Sequence, residues 1–314
     1  MRAAASLILF VILLALPLML PPYPLGITIQ ILIFAVLAMS IDLLAGFAGR
    51  TPLCHGAIFG AATYCVLYYT SVVGGSPWIA LLIGIGGATA LAAVFGLLAI
   101  RTSGVYFLLL TLALGMIVWG ICVRWTSVTG GENGIRGNIR AGVFEDRRVF
   151  YYAVLASCAA LTFAMWRFVR SPFGLTLQGI RDSESRMAAL GYNVSLHLFI
   201  AFVASGFFAG CAGAMYAVFN NFVSPSTVAL SQSVEGLLMA ITGGIGTLFG
   251  AIVGAAAILI LEQVVSSYTQ RWPMVLGAMF VLIMIFAPGG ILGGMRTLVS
   301  RKSRTDHNKH KGVT

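Results

Sequence analysis

Four ionisable side chains lie within or next to long apolar stretches of this sequence. They are Asp42, His55, Glu235 and Glu262. A charge in apolar surroundings is costly, so each should face the protein interior or a water-filled cavity. The two glutamates could relay ions, although no paired acid–base chain accompanies them, and a structural role is the alternative. His55 could bind a carboxylate or amide of a ligand, or it could satisfy a backbone carbonyl.

The sequence lacks the motifs of a nucleotide-binding protein or an enzyme. Gly243-Gly244-Ile245-Gly246 suggests a phosphate loop, but no Gly-x-x-x-x-Gly-Lys-Ser/Thr motif occurs, and all three lysines lie in the final segment. The five cysteines are scattered without metal-ligand spacing. We therefore expect no catalytic residue, no metal and no cofactor, and we interpret these glycines as sites of close helix packing.

A polar stretch at residues 170–196 contains a short amphipathic segment. Asp182 can cap a helix, Glu184 favours its positive N-terminal end, and Gly191 can end it in the left-handed conformation. Small and apolar residues at 187–190 lie between these charges. Such a helix suits docking into a groove on a soluble partner, and a solvated connector between two helices explains it equally well.

The elements that carry these residues must be membrane-spanning helices. Of 314 residues, 59% are hydrophobic and only 9% are charged, whereas a soluble domain carries about 25%. The apolar runs do not alternate with polar residues as barrel strands would. At roughly 20 residues per span, the sequence predicts an all-α polytopic bundle of about ten spans. The predicted spans are residues 3–20, 27–45, 57–73, 78–100, 105–123, 149–169, 197–219, 231–245, 249–267 and 273–292.

Two of these spans are atypical. The first resembles a signal peptide but lacks a small-residue cleavage site, so we expect it to stay uncleaved. The eighth is short and is followed by glycines, so it need not cross the membrane fully.

The distribution of lysine and arginine predicts the orientation. Most of them fall in the loops that share a side with the N-terminus, which predicts that both termini are cytoplasmic. The transmembrane domain is then 1–300, followed by a basic cytoplasmic tail at 301–314. Segment 170–196 faces the cytoplasm and segment 125–148 the periplasm. Topology thus explains the net charge of +10 without nucleic acid.

Glycines at positions 46, 49, 56 and 60, together with Pro52, interrupt apolar sequence. Irregular backbone at membrane depth is tolerated where it is buried in protein or lines a cavity. Transporters often bind their substrates at such breaks. Asp42 and Arg50 both lie near the predicted cytoplasmic end of the second span, so Arg50 could neutralise Asp42.

Several motifs together resemble the branched-chain amino acid permeases of ABC importers, of the LivM type. The cytoplasmic stretch Arg181-Asp182-Ser183-Glu184, followed by Ala188-Ala189-Leu190-Gly191, is similar to their coupling motif. Residues 105–113, 129–134, 201–214 and 243–250 agree in the same order. In similar sequences residues 46–55 read Gly-x-Ala-Gly-Gln-x-Ser-Leu-Gly-His. Here Arg50, Pro52 and Cys54 replace the Gln, the Ser and the second-last Gly.

The resemblance implies a division of labour. This chain would be a non-enzymatic permease subunit of the bacterial inner membrane, moving branched-chain or similar small apolar amino acids inward. Its partners would be a second related permease, two cytoplasmic ATP-binding subunits, a periplasmic binding protein and membrane lipid. The coupling residues would be Arg181, Asp182, Glu184, Ala188, Ala189 and Gly191. The substrate pathway would include Gly49, His55, Gly56, Tyr106, Thr111, Glu235, Gly243 and Gly244.

Two alternatives remain at this point. The altered residues at 50–54 are compatible with a different cargo, such as urea, a short amide or an aromatic acid. An ion-coupled secondary transporter that works alone would instead use the glutamates.

Overall fold

The computed structural model describes residues 21–137 and 146–269, with positions 16–17, 139, 271, 274–275, 277–278, 281 and 290. The predicted tail at 301–314 lies outside these residues, and so does nearly all of the predicted spans at 3–20 and 273–292. In the described part the chain is almost entirely helical. Its helices are α1 (Pro22–Asp42), α2 (His55–Tyr68), α3 (Pro77–Ala99), α4 (Gly104–Arg124), α5 (Thr126–Thr129), α6 (Arg147–Val169), α7 (Pro172–Asp182), α8 (Glu184–Ala189), α9 (Val194–Asn220), α10 (Leu230–Gly243) and α11 (Leu248–Tyr268).

Seven of the described helices are long and apolar enough to cross a membrane. They are α1, α2, α3, α4, α6, α9 and α11, where α1 continues into a π-helical turn at Leu43–Phe47 and α2 into another at Tyr69–Val73. The predicted span 231–245 corresponds to α10, which has 14 residues. A helix of that length rises about 21 Å, less than the roughly 30 Å hydrocarbon core.

The core is built around α1 and α9. Helix α1 is buried over most of its length because α6, α9, α10 and α11 all pack against it. Helix α9 packs against α2 and α3. By contrast, α3 and α4 leave most of their apolar surface exposed.

Glycines make the contact between α9 and its neighbours possible. A Cβ at Gly210 would lie 2.7 Å from the Cβ of Ala88, and one at Gly206 would collide with Ala92. Gly213 likewise lies against the carbonyl oxygen of Phe59. Helix α9 therefore packs against its neighbours through small residues.

The links between the helices gather at two ends of the bundle. At one end, β1 (Ile135–Arg136) pairs antiparallel with β2 (Phe222–Val223), and Ile135 lies opposite Val223. Asn221 joins the two segments, since its backbone oxygen accepts from Gly137 N at 3.0 Å and its Oδ1 accepts from Ile139 N at 3.1 Å. At the other end lie the linker at 48–54, the turn at 100–103, the segment 170–193 and the turn at 244–247.

Candidate functional site

The segment predicted to couple to a partner consists of two consecutive helices. Helix α7 begins after Ser171, whose Oγ accepts from Gly174 N at 3.3 Å, and Pro172 opens its first turn. Ser183 is extended and separates α7 from α8, and its Oγ accepts from Arg186 N at 3.4 Å. The predicted cap at Asp182 is therefore wrong. Asp182 ends α7, and Ser183 caps α8 because its backbone is already extended.

The end of α8 follows the sequence prediction. Gly191 has a φ of +88°, and its N–H donates to Ala188 O at 3.0 Å. A left-handed glycine after the last turn is a common helix terminator. The helix carries no buried residue, and Leu190 beside it is 72% exposed.

Arg50 connects this segment to two other links. Its side chain is almost completely buried, and its Nη2 donates to Glu184 Oε1 at 2.6 Å. Its Nη1 donates to the backbone oxygen of Thr102 at 2.7 Å, and the guanidinium lies 5.7 Å from the centre of the Phe107 ring. Arg50, which belongs to the linker, is therefore hydrogen-bonded both to the α3–α4 turn and to α8.

Arg181 makes the reverse connection, from α7 to the end of α1. Its Nη1 donates to Gly46 O at 2.7 Å, and its Nη2 lies 3.2 Å from Asp182 Oδ1. Gly49 lies beneath it with a φ of +70°, and a Cβ there would lie 2.6 Å from Arg181 Cγ.

Asp42 is fully buried at the same end of the bundle, and its partner is not Arg50. Its Oδ1 accepts from the backbone N–H of Gly246 at 2.7 Å. The expected Asp42–Arg50 pair is wrong because Glu184 and Thr102 O already occupy the guanidinium of Arg50. The packing role predicted for the 243–246 glycines is confirmed: Gly243 lies against the carbonyl oxygen of Gly250, so a Cβ there would collide with it.

His55 is fully buried at the start of α2. Its Nε2 lies 2.6 Å from Ser205 Oγ on α9, and Ser205 Oγ donates to Ser40 O on α1 at 2.5 Å. Because the serine proton is committed to Ser40 O, the serine accepts from His55, which assigns the proton to Nε2. His55 therefore joins α1, α2 and α9.

The other predicted pathway residues fall into different surroundings. Gly56 N donates to Ser233 Oγ at 2.8 Å, and Leu53 N donates to the buried Thr111 Oγ1 at 3.1 Å. Gly56 and Gly60 lie inside α2 rather than interrupting a helix, so the break is confined to 48–54. Tyr106 is separate from this group, with 77% of its surface exposed on α4.

Glu235 and Glu262 lie next to each other, a pairing that the sequence did not predict. Their carboxyl groups lie within hydrogen-bonding reach of each other across α10 and α11. Gln232 Nε2 also donates to Glu235 Oε2 at 3.3 Å. Among the described residues, no group of three or more His, Cys, Asp and Glu side chains is arranged to hold a metal ion.

The contacts that sequence reasoning missed join residues that are far apart in the chain. The separation in sequence from the group that each residue binds is 150 positions for Ser205, 177 for Ser233, 52 for Thr102 and 204 for Gly246. None belongs to a motif that predicts a partner. Asp42 is the acid nearest to Arg50 in the sequence, whereas its partner in the fold is Glu184.

The fold and these contacts define a multi-pass helical membrane protein. At one end of its bundle, the links between the helices are hydrogen-bonded to one another. A family model described as branched-chain amino acid transport system, permease component, matches residues 23–287. The chain belongs to this family, as its motifs predicted.

Curated relatives agree with this assignment. The high-affinity branched-chain amino acid transport system permease protein LivM of Salmonella typhimurium is 26% identical, over 94% of this chain and 76% of its own length. LivH of Escherichia coli is 23% identical, over 83% of this chain and 91% of its own length. A probable LivM of Methanocaldococcus jannaschii is 24% identical over 76% of each chain. No solved structure matches significantly.

Proposed function

We propose that this chain is one of two related permease subunits of an ATP-driven importer in the bacterial inner membrane. It carries branched-chain or similar small apolar amino acids inward. The observation that carries the proposal is the family match across residues 23–287, which includes the coupling segment and the linker. Relatives named LivM and LivH both match most of the chain, which supports a pair of permeases.

In this proposal other chains supply the energy and deliver the substrate. Two cytoplasmic ATP-binding subunits hydrolyse ATP, and a periplasmic binding protein brings the amino acid to the outer mouth. The coupling residues are those on α7, α8 and the turn after it: Arg181, Asp182, Glu184, Ala188, Ala189 and Gly191. The exposed, apolar Leu190 supports docking here, since a partner would cover it.

The proposed pathway runs along the linker and α4. Gly49, His55, Gly56 and Thr111 would hold the shape of its wall, since they make close contacts or hydrogen bonds with neighbouring elements. Tyr106, which is largely exposed, and Glu235 would face the substrate. Gly243 and Gly244 would form the boundary at the end of α10. Such a wall need not bind the substrate tightly, because the binding protein supplies affinity.

The change to Arg50 gives little reason to prefer another cargo. Glu184 and Thr102 O engage its guanidinium, so the charge is accounted for without urea, an amide or an aromatic acid. The experiment is uptake of labelled leucine by proteoliposomes that contain both permeases and both ATP-binding subunits, with binding protein outside and ATP inside. We expect isoleucine and valine to compete and urea, acetamide and phenylalanine not to. If only urea, acetamide or phenylalanine competed, the assignment of branched-chain amino acids as the cargo would be refuted.

The contact between Glu235 and Glu262 favours one second candidate, an ion-coupled transporter. The two functions predict different behaviour of this chain alone in liposomes. The proposed importer subunit is inert without its partners, whereas a secondary transporter takes up substrate along an ion gradient. The secondary transporter also predicts that Glu235→Gln abolishes that uptake.

A further inference from the structure

The side chain of Arg50 lies at the only described point where the linker, the α3–α4 turn and α8 share a hydrogen-bonding group. It reaches Thr102 O at 2.7 Å and Glu184 Oε1 at 2.6 Å. Glu184 is 134 positions away in the sequence. The contact therefore joins parts of the chain that the backbone connects only through several membrane spans.

The two ends of the Arg50–Glu184 ion pair differ in burial. The side chain of Arg50 is 7% exposed, whereas that of Glu184 is 48% exposed. An arginine cannot lose its proton, and a buried charge without its partner is strongly unfavourable. If α8 moved away, Arg50 would be left with one carbonyl and the face of Phe107. Movement of Glu184 should therefore draw the linker with it.

The linker in turn is attached to the helices of the proposed pathway. Leu53 N donates to Thr111 Oγ1 on α4, and His55 Nε2 binds Ser205 on α9. Position 50 thus lies within five residues of contacts to two membrane-spanning helices. Arg181 supports the same connection from the opposite direction through Gly46 O.

We propose that Arg50 is a positioning residue that ties α8 to the linker. When α8 moves, the linker at 48–54 moves with it, and so do the start of α2 and the part of α4 that the linker contacts. The inference rests on the proposed function, because it concerns how docking at α8 reaches the membrane. It adds a residue that lies outside the coupling segment itself.

The test measures substrate transported per ATP hydrolysed by the complete complex in proteoliposomes. Arg50→Met substitutes an apolar side chain of similar length, which removes the charge and both hydrogen bonds. Arg50→Lys keeps the charge but lacks the fork that reaches two acceptors. Glu184→Gln weakens the pair from its exposed end. Arg101→Met is the matched control, since Arg101 is an exposed arginine in the adjacent turn.

We expect Arg50→Met to lower transport per ATP by about tenfold, within the usual range of coupling between sites. Arg50→Lys should fall between Arg50→Met and the native chain, and Arg101→Met should match the native chain. The double variant Arg50→Met with Glu184→Gln should lose no more than Arg50→Met alone, because both changes break one interaction. Co-purification of the ATP-binding subunits and the ATPase rate establish assembly.

A native transport ratio in assembled Arg50→Met would overturn the inference, and so would strictly additive losses in the double variant. If Arg50→Met does not assemble, Arg50→Lys decides, because lysine keeps the buried charge but cannot reach both acceptors, and a native transport ratio in that variant would overturn the inference. Failure of the proposed function looks different: the native complex would then show no ATP-dependent uptake.

Discussion

At the scale of single residues, position 49 requires glycine for two independent reasons. Its φ of +70° is a left-handed conformation, and its missing Cβ makes room for Arg181 Cγ. A side chain would therefore strain the backbone and also displace the arginine that binds Gly46 O. The second effect acts on the connection between α7 and the linker.

A pair of alanine variants separates these two effects. Gly74 has nearly the same φ, +71°, but nothing lies within 4 Å of its Cβ position. Gly74→Ala should cost only the backbone strain, roughly 1 kcal/mol. Gly49→Ala should cost at least about 1 kcal/mol more, because it also breaks a packed contact. Thermal unfolding in detergent measures both, and equal losses would contradict the role assigned to the Arg181 contact.

The His55–Ser205–Ser40 chain is the second feature at this scale. It links α1, α2 and α9 through buried groups, so its loss should reduce stability rather than substrate recognition. Ser205→Ala leaves His55 without its partner and should lower the free energy of unfolding by about 1–3 kcal/mol. Ser157→Ala, which removes only a bond to Ala153 O, is the control. A raised KM with unchanged stability would instead indicate that these residues contact the substrate.

At the scale of elements, the packing of α9 on α3 depends on residues without side chains. Gly210→Leu would force the two helices apart, since even a Cβ lies 2.7 Å from Ala88. Overpacking of this kind costs about 1–3 kcal/mol or more, so the yield of folded protein in the membrane should fall severalfold. Gly86→Leu is the matched control because nothing lies within 4 Å of that position. Equal yields of the two variants would show that this packing is dispensable.

The elements were predictable where local sequence determines them. Apolar runs gave the seven long helices of the described region, and Gly191 gave the end of α8, because both depend on residues close in the chain. The cap of α8 was misassigned by one residue, since Asp182 and Ser183 are both good caps and only the backbone distinguishes them. The partners of Asp42 and Arg50 were not predictable. They are fixed by how the helices pack, which sequence distance does not reveal.

At the scale of the whole molecule, the described arginines named below lie at two opposite ends of the helix bundle. Arg50, Arg101, Arg170 and Arg181 lie at the end of the bundle that carries α8, whereas Arg124, Arg136 and Arg147 lie at the end that carries β1 and β2. The apolar surfaces of α3 and α4 remain exposed between these ends. They are available for lipid and for the second permease of the proposed complex.

The predicted orientation can be tested by labelling: the end of the bundle that carries α8 should face the cytoplasm, and the end that carries β1 and β2 the periplasm. The five native cysteines are buried or half-buried, so a single introduced cysteine can be followed with an impermeant maleimide. Asn133→Cys should be labelled in intact spheroplasts, and Arg101→Cys only after lysis. The reverse pattern would put α8 outside the cell and would contradict the proposed coupling.

The most direct test of the account asks what touches α8 in the working complex. Leu190 can be replaced by p-benzoylphenylalanine, since its side chain is 72% exposed, with Glu132 at the opposite end as the matched position. On illumination, the probe at 190 should crosslink to an ATP-binding subunit, and the probe at 132 should not. If a transport-active complex shows no such crosslink from 190, or shows it from 132, then α8 is not where ATP hydrolysis acts on this chain.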